Sequence, residues 1–546
     1  MPRSRPAPRP IRYAYARPSR EKPLGALPVV VSLCRQLDLA GIIDRLCPVR
    51  EVALVSHGQV IEALVANRLT SPRPMVGVEK WAREWAITEV FGIEADALND
   101  DRIGRALDAI APEQERIAGT VGAHAIARFG LEVSRLHWDM TSISLYGAYE
   151  EPEPGFARPR WGKPKDRRPD LKQVQTGLAV TAQEGVPLWH RAYDGGAGEV
   201  SQVVGTMQAL QELAGQQQFL LVGDSKLISR GNVIAMYQAG VQFIGPAGKS
   251  YLPAERLSTL DREATMPVEY VAERDLGKSV EQRGAYRVLE GEVILAGKRA
   301  ADPELRVRCV FVWSSARAQA AANNRAKKLE RARGDLERLE RGLGGRYYPN
   351  AAAVNERLRV IGRQHKVASS LRAEVGSSPQ GKPTLSWHFD QDVLESETAS
   401  DGWYGLLTNL EPAQADATEV LVRYKGQETV ERRYGNFKGP LAVAPLFLTS
   451  NRRITALVTV ICLALLIFCL VERGVRRAIA PEITLDGLYY GKPAKPTGRL
   501  IFDALAALRL NPASADSPPT IPQPQPLQAR LLELLDVDPT RPRWTS

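Results

Sequence analysis

Two aspartates stand where aspartate is uncommon. Asp139 lies inside the apolar run "RLHWDMTSISLYG", and Asp224 closes the buried-looking run "FLLVGD". Aspartate is depleted in strand interiors, and a buried carboxylate is costly unless something positive accompanies it. A divalent cation meets that need: Mg²⁺ takes oxygen ligands, commonly one or two carboxylates together with substrate phosphate oxygens. The plainer reading, an acid that caps a strand or begins a turn, serves Asp224 better than Asp139. A second group lies in "VRYKGQETVERRYGNFKG". Read as one helix, it places Tyr424, Gln427, Glu431 and Lys438 at offsets of 0, 3, 7 and 14, which at ~100° per residue fall within an arc of ~60°. An aromatic ring, an amide, a carboxylate and an ammonium on one face is the mix expected where a metal ligand adjoins a DNA phosphate. A solvated charged face is the alternative, and Gly426, Gly435 and Gly439 weaken the helix.

The elements that must position these groups follow from periodicity. From Leu24 to about Ile110, apolar residues recur every three or four positions through "VVVSLCRQLDLAGIIDRLCP" and "GQVIEALVANRL", which predicts a compact helical module. After Ala123 the period changes. "RLHWDMTSISLYG" reads as a strand, "LKQVQTGLAVTA" and "VPLWHRAYDGG" as two more around the turn "QEG", and "EVSQVVGTMQALQELAG" as a helix. A strand "FLLVGD", a helix across "NVIAMYQAG" and a strand "VQFIGP" follow, each bounded by turn residues. That order is the order of a ribonuclease H-like fold, an α/β core in which the first and fourth strands are neighbours, so Asp139 and Asp224 can meet. Between 247 and 400 the alternation breaks into short strand-like pieces. A charged helix then carries Leu329, Leu336, Leu339 and Leu343 at heptad-like spacing, and a second charged helix follows, which predicts an inserted domain with a helical hairpin. "WYGLLTNL" returns to the core pattern.

The expected division is a basic arm at 1–23, an N-terminal helical domain at 24–115, the first part of the core at 123–246 and the insertion at 247–400. The second part of the core, with the helix that carries Tyr424, Gln427, Glu431 and Lys438, occupies 401–510, and a Pro/Ser-rich linker with a short helix occupies 511–546. A chain of 546 residues is long enough for several domains. Lys and Arg number 72 against 62 acidic residues, a net charge of +10, which suits a polyanionic partner. The arm's Arg3, Arg5, Arg9, Arg12, Arg17 and Arg20 suit a phosphate backbone or a solvated tail alike. Cys34, Cys47, Cys309, Cys462 and Cys469 show no paired spacing and read as reduced core thiols of a cytoplasmic protein. Ile454 to Val471 is eighteen residues without charge, at the lower edge of a membrane span. Basic residues at both ends favour a buried core helix, so no membrane is expected.

These motifs carry a resemblance. The chain resembles the DDE transposases of bacterial insertion sequences, in the branch marked by a C-terminal Tyr, Arg, Glu, Lys signature at spacings of three, four and seven. Tyr424, Glu431 and Lys438 match it, and Gln427 stands where the signature has Arg. "VSHGQVIEALVANRL", "LNDDRIGRALDAI", "GKPKDRRPDLKQ" and "DGWYGLLTNL" are similar to pieces of one subgroup, so the resemblance spans roughly residues 24 to 510.

The resemblance implies metal-dependent phosphoryl transfer on a ribonuclease H-like core, with Asp139, Asp224 and Glu431 as metal ligands. Two Mg²⁺ ions, for which Mn²⁺ substitutes, would activate the attacking oxygen and stabilise the leaving one. Tyr424, Gln427 and Lys438 would contact DNA. The partners implied are double-stranded DNA, as transposon ends and target, and a second copy of the chain in a synaptic complex. Gln427 carries no charge and cannot form the bidentate phosphate clamp of an Arg. That departure supports an alternative, a transposase-derived DNA-binding protein that no longer cuts.

Overall fold

The computed structural model describes residues 21–540 apart from 273–274, 298, 300–301, 442–447, 449 and 514–516. Most of the expected arm lies outside the described residues. Its end does not: Lys22–Pro23 (β1) pairs antiparallel with Arg509–Leu510, and Lys22 Nζ meets Glu89 Oε1 at 2.7 Å.

The predicted N-terminal module is helical, comprising α1 (Leu27–Gln36), α2 (Leu39–Leu46), α3 (His57–Thr70), α4 (Val78–Glu84), α5 (Ile87–Phe91), α6 (Asp100–Ile110) and α7 (Gln114–Phe129). Capping sets the starts. Ser56 accepts from Gln59 N at 3.1 Å while the Gln59 side chain accepts from Ser56 N at 2.9 Å, and Asn99 accepts from Arg102 N at 2.9 Å, which satisfies donors that the first turn of a helix leaves free.

The core is a large mixed sheet flanked by helices. Its first part runs β2 (Arg135–Leu145), β3 (Lys172–Thr181), β4 (Pro187–Tyr193), α8 (Glu199–Ala214), β5 (Leu220–Gly223), α9 (Arg230–Gln238) and β6 (Gln242–Pro246). This is the predicted order of elements. The next stretch holds α10 (Ala254–Ser258), β7 (Met266–Val268), β8 (Tyr286–Leu295), β9 (Leu305–Ser314), α11 (Ser315–Arg341), α12 (Ala351–His365), β10 (Leu371–Ser377), β11 (Pro383–Phe389) and α13 (Gln391–Ala399). The chain then returns through β12 (Trp403–Thr408), α14 (Ala417–Lys425), α15 (Glu428–Lys438) and α16 (Asn451–Ala478). Among the described residues the sheet has nine strands in the order β4-β3-β2-β5-β6-β12-β9-β8-β7. β2, β3 and β4 alternate in direction, and β5 and β6 run parallel to β2.

Side-chain alternation along the central strands divides two cores. Val222 and Ile244 pack under α14 with Val310, Val312 and Leu406, whereas Leu221 and Phe243 belong to the larger core on the opposite face, as the period of two requires.

The region expected as a separate insertion divides differently. β7, β8 and β9 extend the central sheet through β12, because β9 and β12 pair over six residues from Trp403↔Trp313 to Thr408↔Arg308. Only α11, α12 and the β10–β11 hairpin form a body with its own core, built from Ala332, Leu336, Leu339, Val354, Leu358 and Ile361. The predicted helical hairpin is thus present on a smaller excursion.

α16 has the length and apolarity to cross a membrane, and its apolar stretch is wholly buried within the protein. It lies among α1, α3, α6, α7, α15, β4, α17 (Gly498–Leu505) and α18 (Pro526–Leu534). Neighbours on every side account for an all-round apolar helix. α18, expected behind a linker, is part of this packing: Leu531 and Leu532 are buried. The five cysteines are free and buried.

Candidate active site

β2 and β5 pair in parallel with Trp138 opposite Gly223. The next position on each chain is Asp139 and Asp224, so the main-chain register alone sets the two aspartates side by side. Asp139 accepts from Met140 N at 2.8 Å. Burial and the Asp224 charge push its carboxyl up to about 6, against the opposing pull of Lys165. Asp224 accepts from Lys226 N at 2.8 Å, the pattern of an acid that opens a turn. The turn reading of Asp224 and its placement beside Asp139 therefore hold together.

A cation from the chain itself stands at this pair. Lys165, in the loop between β2 and β3, places Nζ 3.3 Å from Asp139 Oδ1 and 3.4 Å from Oε1 of Glu199, the first residue of α8. It also donates to the Met140 carbonyl. Burial opposes its charge, but Asp139 and Glu199, with Asp224 behind them, hold it above the ordinary lysine value. Neither Lys165 nor Glu199 was picked out from the sequence. Lys165 lies within the quoted motif "GKPKDRRPDLKQ", and an acid in a helix's first turn is ordinary dipole compensation that carries no signal of its own.

The signature segment is two helices rather than one. α14 ends at Lys425 and α15 starts at Glu428; between them Gln427 N, Thr429 N and Val430 N donate to carbonyls three residues back, at 2.9, 2.9 and 3.2 Å. This tightening toward 3₁₀ geometry breaks the assumed register. Its cause is tertiary. A Cβ at Gly426 would stand 2.7 Å from His137 Nε2, so glycine lets the junction lie directly on β2. Gln427 then turns inward: Nε2 donates to Trp138 O at 3.0 Å and Oε1 faces His137 Nδ1 at 3.1 Å. Burial lowers the His137 pKa to about 4, so its ring is neutral and Nδ1 carries the proton that Gln427 accepts. Gln427 is 7% exposed. The expectation that it contacts DNA is therefore corrected: its amide is engaged inside the protein, holding the helix junction to the strand that carries Asp139.

The other signature residues divide. Tyr424 is partly buried against the core under α14; burial, together with the charges of Asp224 and Glu431, raises its hydroxyl to about 12, with Arg317 pulling the other way. Lys438 is half-buried; burial and nearby Lys165 lower its pKa, and Asp166 opposes them, which brings the end of α15 to the same loop. Glu431 is exposed. Among the described residues no three carboxylates, imidazoles or thiolates are grouped to hold a metal ion, so Glu431 does not close on the aspartate pair. The donor set fits Mg²⁺ in chemistry, being all oxygen, and two carboxylates with substrate phosphates are the usual protein share for that ion.

α15 is nevertheless firmly seated. Tyr434 Oη donates toward the carbonyls of Asp139 at 2.7 Å and Thr176 at 2.9 Å. Arg433 donates to Gly185 O at 2.8 Å and Glu184 O at 2.6 Å in the β3–β4 turn, and pairs with buried Glu472 of α16 at 2.9 Å. Gly185, in the predicted "QEG" turn, has φ +65°, and a Cβ there would stand 2.4 Å from Thr429 Cγ2.

Comparison with known proteins adds the following. The family described as a domain of unknown function, DUF4277, matches residues 20–116. No curated protein matches the chain. Among solved structures, the chain is similar to a piggyBac transposase synaptic complex with hairpin DNA, at a TM-score of 0.37 and 9% identity, over 89% of this chain and 82% of that one. It is also similar to a Mos1 transposase paired-end complex with the left transposon end, at a TM-score of 0.15 and 9% identity, over 34% of this chain and 56% of that one. Likeness of that degree decides neither fold nor activity.

Proposed function

We propose that this chain is a DDE-type transposase of a bacterial insertion sequence. On this reading it cuts double-stranded DNA at transposon ends and joins the released 3′-hydroxyl to target DNA, working as a homodimer in a synaptic complex. β4-β3-β2-β5-β6 is the ribonuclease H-like core, and Asp139, Asp224 and Glu431 hold two Mg²⁺ ions or Mn²⁺ in their place. When bound, such ions stabilise charge on the attacking and leaving oxygens of an in-line displacement. The chain's own residues supply the rest. Asp139 and Asp224 are preset by strand pairing, Glu431 approaches from α15, and Tyr424 and Lys438 face the DNA backbone. Gln427 and Tyr434 hold the junction and α15 against β2.

The observation that carries this reading is the pair itself: two carboxylates at matched positions on parallel neighbours, with Asp139 raised to about 6 and a lysine drawn in beside it. Carboxylates so placed need a positive partner, which Lys165 supplies in the metal-free protein and which a divalent ion would supply when bound. The non-cutting alternative loses its support, because Gln427 has an internal partner on each side and its difference from Arg concerns packing.

The test uses a duplex taken from the DNA flanking the gene. Glu431→Ala should shift this duplex in a gel like the unaltered protein and give no nicked product with Mg²⁺ or Mn²⁺, whereas Glu428→Ala should cut nearly normally. Normal cutting by Glu431→Ala together with loss in Glu428→Ala would overturn the assignment.

A further inference from the structure

The stretch Lys163–Leu171, the last part of the connection from β2 to β3, carries more fixed contacts than a connection needs. Lys165 N donates to Ser142 Oγ at 2.8 Å, Ser144 Oγ donates to Asp166, and Arg168 Nη1 donates to the Tyr146 hydroxyl at 3.1 Å. The guanidinium of Arg168 also lies 5.7 Å from the centre of the Tyr146 ring. Ser142, Ser144 and Tyr146 alternate along β2 and its continuation, so one face of the strand seats the loop in a fixed register. Arg167 takes φ +60°, a left-handed conformation rarely adopted by a long side chain, which persists only where the surroundings impose it. The product of this seating is one feature: the Lys165 ammonium is delivered between Asp139 and Glu199.

We propose that Lys165 is a built-in counter-cation, which neutralises the acidic site in the metal-free protein and must be displaced from Asp139 and Glu199 when a divalent ion enters. The inference rests on the reading of Asp139 as a metal ligand. An ammonium and a divalent ion compete for the same carboxylate oxygens, so the lysine lowers metal affinity while stabilising the empty site. Its stem explains how it moves: the Lys165 side chain is 41% exposed against 13% for Asp139, and a flexible four-carbon chain can withdraw to solvent while the loop backbone stays on Ser142 and Ser144. Glu199 gives the ammonium a second anchor beside the pair.

The experiment measures binding of Mn²⁺ alone to the full chain without DNA, with the free ion followed by electron paramagnetic resonance and metal-free stability followed by thermal melting. Lys165→Met should bind Mn²⁺ about tenfold more tightly, melt lower than the unaltered protein when metal-free, and regain stability as Mn²⁺ is added. Lys165→Arg keeps the charge and should stay close to the unaltered affinity. If Lys165→Met does not fold, Lys165→Gln, which keeps a donor for Met140 O, should show the same gain. Equal or weaker Mn²⁺ binding by a folded, uncharged variant overturns the counter-cation role and leaves the metal site standing. Absence of Mn²⁺ binding by both the unaltered protein and that variant overturns the metal site, and this inference with it.

Discussion

Asp139 and Asp224 are placed by main-chain hydrogen bonds, whereas Glu431 is placed by side chains. The aspartates follow from pairing between β2 and β5, a ladder that resists displacement because every residue in it contributes. Glu431 rides on α15, whose seat depends on Gln427 at the junction, Tyr434 against β2 and β3, and Arg433 in the β3–β4 turn. The preset half is also the electrostatically strained half, with Asp139 raised by burial and by Asp224. The helical half is exposed at its acid and satisfied at its base. A site built this way keeps two carboxylates fixed and attaches the third through a few separable contacts, so the two halves can be perturbed independently.

The largest effect is expected at Arg433. Its guanidinium is 3% exposed and Glu472 is 4% exposed, and it donates to two turn carbonyls besides. Arg433→Met should lower stability by about 3 kcal/mol, since truncating one partner of a buried pair leaves the other charge and both carbonyls under-satisfied. Arg476 Nη1 at 2.8 Å and Gly498 N at 2.8 Å still reach Glu472, which keeps the loss short of total unfolding. Chemical denaturation measures it, and a loss under about 1 kcal/mol would show that α15 does not depend on this anchor.

On the strand half the prediction has the opposite sign. The Asp139 carboxyl moves from an ordinary 3.8 to about 6, so between those pH values the folded protein binds more protons than the unfolded one. The stabilising contribution is fully present below pH ~4 and is lost as pH rises through ~6. Asp139→Asn should therefore make the metal-free protein more stable at pH 8, by about 2 kcal/mol, with the difference vanishing near pH 4. Cleavage should be lost in the same variant. A variant equally destabilised at both pH values would show that the pair is not under repulsion.

The two halves also differ in how far they could be read from the residues. Strand period and element order were sufficient to place Asp139 beside Asp224, because both are local patterns joined by few topological choices. β8 and β9 were misplaced into an insertion, since "YRVLEGEVILAG" and "VRCVFVW" look alike whether they pair with each other or with the central sheet; only the pairing to Trp403–Thr408 decides it. The helical character of residues 424–438 is legible in the sequence, but their register is not. The break comes from Gly426 meeting His137, two residues 289 positions apart, a contact that no helical period contains. Lys165 and Glu199 were missed for the same reason: each has an ordinary local role, and only the fold brings them together.

The smallest expected effect tests whether the halves are coupled at all. Tyr434 ties α15 to the main chain of Asp139, its hydroxyl reaching Asp139 O at 2.7 Å and Thr176 O at 2.9 Å. Its ring is buried and meets Phe437 edge-on at 6.4 Å, so Tyr434→Phe keeps the packing and removes only the donor. A single hydroxyl shared between two carbonyls contributes about 1 kcal/mol, and the melting temperature should fall by a few degrees or less. Cutting should fall further than that loss of stability predicts, because the link that spaces α15 from the Asp139 strand is gone while both aspartates keep their register. Comparing cutting with Tyr434→Phe and with an equally destabilising substitution in the α11–α12 hairpin separates the two effects. Equal loss in both would mean that Tyr434 supports the fold alone and that Glu431 is positioned by the rest of the helix.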